Sequence, residues 1–225
     1  TTTAAATTIQ SSLPILKENI LETYSIVESL TNTNNIMIMA VNRVVDYTKV
    51  TKGIQLVPKV SVVDVFDTLQ SVVSCVNAIQ DRIPINIIPP SDSIVSHIIT
   101  DKQWLYENLL CYVTNAVKYT VKGHVDVSIK LDIIEKKNQL LIFEVEDTGI
   151  GIASELKSTL FKTFTQGQRN SGGTGLGLFT LANRINAIGG NYGYKNRHDN
   201  QQGSNFWFSI PYFPDLDIIS EEDDH

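Results

Sequence analysis

Glycine is concentrated in residues 171–178, which read SGGTGLGL and place it at 172, 173, 175 and 177. Within a regular helix or strand each glycine costs roughly 0.5–1 kcal/mol of stability relative to alanine. A run this dense therefore indicates that a ligand or another part of the chain closely approaches the backbone here. A phosphate, a tight turn or a close helix contact could each require it. The following GLFTLANRINAI predicts a helix that ends at Gly189–Gly190, and helix N-termini attract anions. We therefore predict that the glycine run wraps phosphates.

Two common phosphate-binding loops do not fit this run. A dinucleotide-binding loop needs a third glycine where Leu178 stands and a strand directly before the run, and the sequence predicts neither. A P-loop would continue as Gly-Lys-Ser or Gly-Lys-Thr, and no such tripeptide follows. The phosphate interpretation therefore depends on the motifs around it.

A second motif, EVEDTGIGI, follows a predicted strand and contains Asp147, Gly149 and Gly151. A carboxylate at a strand end can accept a hydrogen bond from an amino group such as that of a purine. The glycines would let a flat ring approach the backbone. The alternative is an ordinary strand-ending turn, for which Asp-Thr-Gly is well suited. The acidic ligands of a calcium loop are missing, which excludes an EF-hand.

A third motif lies on the predicted helix DKQWLYENLLCYVTNAVKYT, which Asp101 opens and which runs to about Tyr119. Polar residues recur on it at spacings of three and four, and so share one face. They are Asn108, Cys111, Asn115 and Lys118. Such a face can be plain surface. It becomes a candidate site only if the other two motifs converge on it.

A long helix is predicted over residues 14–51, with Ser12 as its cap and Pro14 in its first turn. Mostly apolar residues recur along it at alternating spacings of four and three, a pattern that forms a heptad seam. The seam comprises Leu16, Ile20, Thr23, Val27, Leu30, Asn34, Met37, Val41, Val44 and Thr48. Further isoleucine and valine residues widen the apolar face beyond a two-stranded seam, which favours a four-helix bundle. The alternative is a helix that packs on its own domain.

The remaining segments mix helices with strand hairpins. A short extended piece follows Gly53, and residues 62–80 predict a second helix. Strands are predicted at RIPINIIPP, at the hairpin formed by HVDVSIKLDII and QLLIFEVED, and at NYGYK and SNFWFSIPY. This order predicts the α+β class, a two-layer α/β sandwich with helices on one face of a mostly antiparallel sheet.

Composition limits the classes of function. The 225-residue chain is 42% hydrophobic and carries a net charge of −6, which argues against nucleic acid as a partner. Cys75 and Cys111 suggest neither a disulfide framework nor a metal site, and no apolar stretch is long enough to span a membrane. We expect a cytoplasmic protein, with a linker at residues 1–13 and an acidic tail at 214–225.

Taken in this order, the three motifs and the Phe-x-x-Phe of residues 161–164 resemble the ATP-binding domain of sensor histidine kinases. That domain belongs to a superfamily with gyrase B, a heat-shock chaperone and mismatch-repair ATPases. The resemblance covers roughly residues 60–213, and VNRVVDYTKVTKG extends it backward by resembling the end of the kinase dimerisation hairpin. It implies a Bergerat-type ATP-binding fold over residues 53–213, preceded at 14–52 by the second hairpin helix.

The resemblance also implies roles for individual residues. Asn115 would ligate Mg²⁺, Lys118 would reach the phosphates, and Tyr119 would flank the nucleotide. Asp147 would read the adenine amine beside Gly149 and Gly151. Phe161 and Phe164 would anchor a lid, the polar segment before the glycine run, and Arg169 would be a cation of that lid. The glycine run would line the phosphates with Gly173, Thr174, Gly175, Leu176 and Gly177. Asn108 completes the implied nucleotide site.

Two positions depart from the family's pattern. Cys111 stands where these kinases have the first asparagine of their asparagine box and where the hydrolytic relatives have a glutamate, which disfavours an ATP-hydrolysing enzyme. None of the four histidines, at 97, 124, 198 and 225, lies in the family's His-Glu/Asp-x-Arg-x-Pro phosphoacceptor motif. We expect all four to be ordinary surface or loop residues, and the first hairpin helix to be absent.

The resemblance therefore predicts the catalytic part of a two-component histidine kinase that uses ATP and Mg²⁺. Its phosphoryl acceptor would come from elsewhere, and this fragment alone would not autophosphorylate. The expected partners are the phosphoacceptor helix of the same or a partner protomer, a second copy in a homodimer, and a response-regulator receiver domain. The alternative is a non-catalytic module that senses ATP or ADP, which Cys111 and the missing acceptor motivate.

Overall fold

The computed structural model describes residues 2–91, 93–135, 138–163, 175–199 and 201–215. The chain divides into two compact units, residues 1–40 and residues 41–225. The sequence had placed the boundary after residue 52. In the structure the last turns of the long helix, residues 41–51, instead belong to the second unit.

The long helix, α1, spans Thr2–Thr51. The prediction of a linker over residues 1–13 was therefore wrong, because α1 begins well before Pro14 and contains it. Proline removes one helical hydrogen bond and can kink a helix, yet α1 continues on both sides of Pro14. The chain has no glycine before Gly53, whose positive φ of 71° follows the helix as predicted.

Large apolar side chains of α1 are exposed along the first unit. The apolar members of the predicted seam between residues 16 and 37 are each more than half exposed. They are Leu16, Ile20, Val27, Leu30 and Met37. An apolar stripe in contact with water is typical of a surface that pairs with another helix, which favours the bundle interpretation for this unit. No described helix combines the length and the apolar character that crossing a bilayer requires.

The second unit contains two sheets. Strands β1 (Val60–Asp64) and β3 (His97–Asp101) pair antiparallel, with Val62 opposite Ile99. The larger sheet has the order β2-β4-β5-β7-β6, in which only the β2–β4 pair is parallel. Its strands are β2 (Ile85–Ile87), β4 (Val125–Glu135), β5 (Asn138–Asp147), β6 (Asn191–Lys195) and β7 (Ser204–Pro211). The predicted hairpin and the last two strands are confirmed, whereas β3 was not predicted.

Three helices pack on one face of the larger sheet, namely α2 (Val65–Asn77), α3 (Lys102–Tyr119) and α4 (Gly177–Ile188), and a short 3₁₀ helix covers Ser154–Leu156. Aspartates cap the first two, since Asp64 accepts from the N–H of Phe66 and Asp101 from that of Trp104. The second helix is therefore shorter than predicted, because β1 occupies the residues before Asp64. Gly189, with φ of 85°, ends α4 as predicted.

The core lies between these helices and the alternating inward residues of the strands. Phe143 of β5 and Phe208 of β7 are opposite each other in register and stack with ring centroids 4.9 Å apart. Tyr112 of α3 is fully buried against Phe208. One buried face and alternation along each strand are what a two-layer sandwich requires. The predicted fold class is confirmed.

Candidate nucleotide-binding site

The last turns of α3 carry Asn115, Lys118 and Tyr119. Asn115 is half-buried and its Nδ2 lies 3.9 Å from Cys111 Sγ, while Lys118 is exposed. The Lys118 ammonium lies 5.2 Å from the centroid of the Tyr119 ring. The predicted polar face therefore runs from the interior at Asn108 and Cys111 to the surface at Lys118, because the helix end leaves the core.

The Asp147 turn lies directly against that helix end. Ile150 N–H donates to the Tyr119 carbonyl over 3.2 Å, and a Cβ on Gly149 would overlap the same carbonyl oxygen. A glycine at this position is therefore required by the close approach of two backbones. The structure thus brings together two of the three motifs that the sequence singled out, although they lie about thirty residues apart.

Asp147 is buried, with 3% of its surface exposed. Burial raises the pKa of its carboxyl above the usual range, and this outweighs the N–H donors of Gly149 and Ser204, which favour the carboxylate. The Gly149 N–H lies 2.8 Å from Oδ1. A carboxyl oriented by backbone donors and largely removed from water can form a strong, directional hydrogen bond to a ligand amine.

The loop between β6 and β7 forms another wall, which the sequence did not predict. Gly203 has φ of 135°, and a side chain there would overlap the Asp147 carbonyl oxygen. Gln202 Nε2 donates to the Ile150 carbonyl over 3.4 Å. Gly151, also at positive φ, faces Gly203. The only signal in the sequence was a lone glycine in a polar loop.

The described end of the glycine run is the start of α4. Gly175 has φ of 67°, and Leu176 is a buried N-cap residue whose side chain cannot cap the helix N–H groups. A Cβ on Gly177 would lie 2.9 Å from Cys111 Sγ. A tight turn therefore accounts for Gly175 and a close helix contact for Gly177, so both glycines have reasons that involve no ligand.

Cys111 is buried at that contact. Burial raises the pKa of its thiol, against the opposing effect of the cations Arg43 and Arg184. A buried, protonated thiol packs as a small apolar group. Cys111 therefore acts in this fold as a spacer between α3 and α4.

The other predicted site residues divide into three groups. Phe161 packs against Tyr192 of β6 with ring centroids 4.7 Å apart, a contact suited to the anchoring role expected of it. Asn108 is buried inside the unit, and its Nδ2 has no hydrogen-bond partner among the described residues. The rest lie outside the described residues: Phe164, Arg169, Gly173 and Thr174.

Residues 100–214 match the family described as histidine kinase-, DNA gyrase B-, and HSP90-like ATPase. This match covers half of the chain and all three motifs. The chain belongs to this ATPase family.

Curated relatives of this ATPase domain are histidine kinases. The chain is 34% identical to hybrid signal transduction histidine kinase K of Dictyostelium discoideum over 134 residues, which is 54% of the chain and 11% of that protein. It is 28% identical over 198 residues to the histidine-protein kinase BarA of Escherichia coli K12, over 84% of the chain and 21% of BarA. The chain therefore spans about a tenth to a fifth of these relatives.

A solved structure is also similar to the chain. Full-length ShkA in complex with AMPPNP superposes with a TM-score of 0.63 at 27% identity, covering 86% of this chain and 40% of ShkA. The fold of the ATPase domain is thus that of a histidine kinase. AMPPNP in that complex is a ligand of ShkA.

Candidate metal ligands are dispersed over the described residues of the ATPase domain. Among the described residues, no three or more His, Cys, Asp or Glu side chains are grouped to hold a metal ion. Asn115 nevertheless suits Mg²⁺, because its Nδ2 faces Cys111 and its carboxamide oxygen is left as a hard ligand. Mg²⁺ is usually bound by one or two protein ligands together with substrate phosphates. The described residues therefore fit a metal that arrives with the nucleotide.

The sequence also missed a buried ion cluster in the second unit. Arg184 of α4 lies 2.8 Å from Asp46 Oδ2, and its Nη1 lies 2.7 Å from Glu107 Oε2 of α3. Glu107 Oε1 accepts hydrogen bonds from Asn42 over 2.6 Å and from Gln103 over 3.0 Å. We call Asp46, Glu107 and Arg184 the ion triad. Its one sequence signal was an arginine inside the apolar stretch LANRINAI.

Proposed function

We propose that this chain is the ATP-binding catalytic part of a two-component sensor histidine kinase. The observation that carries the proposal is the contact of the Asp147 turn with the end of α3, through Gly149, Ile150 and the Tyr119 carbonyl. It joins the turn that carries the buried Asp147 carboxyl to the helix end that carries Asn115 and Lys118, within a domain whose curated relatives are histidine kinases.

In this proposal Asp147 accepts a hydrogen bond from the adenine amine. Its buried position and the two backbone donors fix the orientation of the carboxyl, which selects a ligand that offers an N–H at that point. Gly149 and Gly151 leave room for the flat ring. A guanine would present a carbonyl oxygen to the same carboxylate, so we expect ATP to be preferred over GTP.

The phosphates are assigned to the end of α3 and the start of α4. Lys118 is an exposed cation at the end of α3, and α4 begins after Leu176, whose apolar side chain cannot cap the backbone N–H groups of the helix. Bound Mg²⁺ would neutralise phosphate charge, with Asn115 as its protein ligand. The chain's own contribution is to hold the nucleotide in one orientation, which is the main requirement of phosphoryl transfer.

The phosphoryl acceptor is a histidine outside this chain's sequence. His97 lies in β3, 3.8 Å from Asp64, and His124 lies 3.5 Å from Asp126. His198 lies in the β6–β7 loop, with Nδ1 2.5 Å from Glu146. No described histidine is on a helix. We therefore assign the acceptor to a separate helix that pairs with the exposed seam of α1 in a homodimer, and the next phosphoryl acceptor to a receiver domain.

A second candidate function is a module that binds nucleotide without catalysis. Cys111 favours it, because a buried thiol in the candidate site can neither ligate Mg²⁺ as an amide does nor activate water. The two candidates differ in phosphotransfer and agree on ATP binding, so one pair of measurements separates them.

The test begins with calorimetric titration of Mg·ATP and Mg·GTP into the chain and into Asp147→Asn. Asp132→Asn, an exposed aspartate on β4, is the matched control. We expect ATP binding by the wild type and the control, and weak binding by Asp147→Asn. Equal affinity in all three proteins would refute the adenine assignment.

The second measurement adds a helix that carries the family's phosphoacceptor motif. Acid-labile, base-stable label on that helix supports the kinase, and normal ATP binding without label supports the module. Stoichiometric label on His97, His124 or His198 of this chain would contradict both.

A further inference from the structure

The ion triad joins three segments of the second unit at one cation. Arg184 has only 3% of its side chain exposed, and the Asp46 and Glu107 side chains are 10% and 5% exposed. Asp46 belongs to the last turns of α1, Glu107 to α3 and Arg184 to α4. The Arg184 guanidinium also lies 5.9 Å from the Trp104 ring centroid. Since water cannot replace either carboxylate there, the arginine holds both segments to α4.

The triad lies on the same helix faces as the candidate phosphate site. On α3, Glu107, Cys111 and Asn115 are spaced by four, so they share one stripe. On α4, Gly177 and Arg184 are two turns apart on one stripe. Glu107 meets Arg184, and Cys111 meets Gly177, so the two helices run in opposite directions. One turn beyond Cys111, Asn115 is therefore placed past the N-terminus of α4.

The last turns of α1 contact both of these meeting points. Asn42 donates to Glu107 and Asp46 binds Arg184, while the Arg43 guanidinium carbon lies 3.4 Å from the position of a Cβ on Gly177. Tyr47 packs edge-on against Phe179, in the first turn of α4, at 5.9 Å. Residues 42–47 thus form a third wall along the α3–α4 contact.

We propose that Arg184 is a positioning residue for the metal-bound nucleotide, and that through it the docking of residues 41–51 is coupled to Mg·ATP affinity. The inference rests on the proposed nucleotide site. By fixing α4 to Glu107, Arg184 sets the distance and orientation of the α4 N-terminus relative to Asn115. Because Arg184 also binds Asp46, that distance and orientation depend on the docking of α1. Neither Asp46 nor Arg184 needs to touch the nucleotide.

The first experiment measures Mg·ATP affinity, and affinity without Mg²⁺, for Asp46→Asn and Arg184→Lys. The first variant keeps shape and removes the charge, and the second keeps the charge and loses the two-pronged geometry. Asp132→Asn is the control. We expect each triad variant to weaken Mg·ATP binding by about fivefold or more, the size of an ordinary coupling between sites. The loss should be smaller without Mg²⁺, because Asn115 then contributes less.

The double variant shows whether Asp46 and Arg184 affect nucleotide binding through the same interaction. Asp46→Asn combined with Arg184→Lys should weaken binding no more than the stronger single variant. A merely structural triad would lower the melting temperature and leave the Mg²⁺ dependence of affinity unchanged. That outcome, or losses that multiply in the double variant, would overturn the coupling.

A second experiment needs no nucleotide and separates failure of this inference from failure of the proposed function. Hydrogen exchange of the ligand-free chain should quicken in α4, residues 177–188, as well as in residues 41–51, when Asp46 is replaced by asparagine. Exchange confined to residues 41–51 would overturn the inference even if ATP binds. Absence of ATP binding in the wild type would refute the proposed site, and a coupled change in exchange would still establish the link between α1 and α4.

Discussion

Two clusters of carboxylates and cations in the second unit use the same chemistry in opposite surroundings. In the ion triad, Arg184 is 3% exposed between Asp46 and Glu107. On the outer face of the larger sheet, Glu144 is paired with Lys130 and Lys195, whose side chains are 58% and 49% exposed. The lysines can return to water if the glutamate is lost, whereas the triad has no such alternative. Burial therefore decides which cluster the fold depends on.

The largest expected effect comes from removing the buried cation. Arg184→Met leaves Asp46 and Glu107 buried beside each other without a counter-ion, and should lower the free energy of unfolding by about 3–5 kcal/mol. The matched change on the sheet, Lys195→Met, should cost less than about 1 kcal/mol because Lys130 remains and both lysines are hydrated. Urea unfolding followed by circular dichroism measures both. Equal losses would refute the contrast between the clusters.

Asp147 is a buried carboxyl outside both clusters, and it differs from them. Its described hydrogen bonds come from backbone N–H groups rather than a cation, and its pKa is raised where that of Glu144 is lowered. Asp147→Asn should therefore cost about 1.5–3 kcal/mol of ATP binding, the contribution of a charge-assisted hydrogen bond, with little loss of folding stability. Calorimetry and thermal unfolding on the same samples test this. A variant that loses stability but binds ATP normally would make Asp147 structural.

A smaller effect is expected at the α3–α4 contact. A Cβ added in Gly177→Ala would lie 2.9 Å from Cys111 Sγ, which should cost about 1–3 kcal/mol of folding stability through overpacking. Cys111→Ala supplies the matched rescue, because the smaller side chain makes room for the new methyl. The double variant should recover part of the stability that Gly177→Ala loses. No recovery would mean that packing against Cys111 is not why glycine stands there.

The ATP affinity of that rescued variant sharpens the assignment of the glycine run. If binding returns together with stability, Gly177 serves the helix contact alone. If binding stays weak, Gly177 also lines the phosphates, as the family resemblance implied.

Elements of the fold could be predicted where their sequence signals are local, and were missed where they depend on contacts between residues far apart in the chain. The α3 helix, the β4–β5 hairpin and the Asp147 turn could be predicted, because caps, periodicity and turn residues are local. The strand β3 was missed because it is five residues long and pairs with β1, more than thirty residues earlier. The Asp46–Arg184 pair joins positions 138 residues apart, and no local pattern encodes which buried charge meets which.

The length of α1 was also misjudged for a physical reason. Pro14 and the polar residues before it are typical of a helix start, but a proline inside a helix is tolerated where its neighbours continue the hydrogen-bonding pattern. In the candidate site, Gly203 was missed because its close approach to Asp147 depends on the tertiary pairing of β5 with β7. Local sequence predicts which residues can do chemistry, and long-range contacts decide what surrounds them.

The smallest expected effect concerns pH and separates the sheet cluster from Asp147. Burial acts to raise the pKa of Glu144, but hydrogen bonds from Lys130 and Lys195 outweigh it and hold the pKa below the ordinary value of 4.5. A lowered pKa stabilises the fold fully above about pH 4.5, and that stabilisation is lost as the pH falls through the folded-state value. Asp147 has the opposite sign, since a raised pKa contributes stability below about pH 3.8 that is lost as the pH rises.

Glu144→Gln should therefore flatten the fall in stability on acidification, by less than about 1 kcal/mol because both lysines are half-exposed. Asp147→Asn should steepen that fall, because it removes the one carboxyl of the pair whose protonation favours the folded state. Urea unfolding at pH 3, 4, 5 and 7 compares the two variants with the wild type. Parallel curves for all three proteins would mean that neither carboxyl has a different pKa in the folded and unfolded chains, and a steeper curve for Glu144→Gln would reverse the assigned sign. Because both residues lie on β5, only three positions apart, opposite slopes would have to come from their immediate surroundings: two lysines lower the pKa of Glu144 on the outer face, and burial raises the pKa of Asp147 on the inner face despite its two backbone N–H donors.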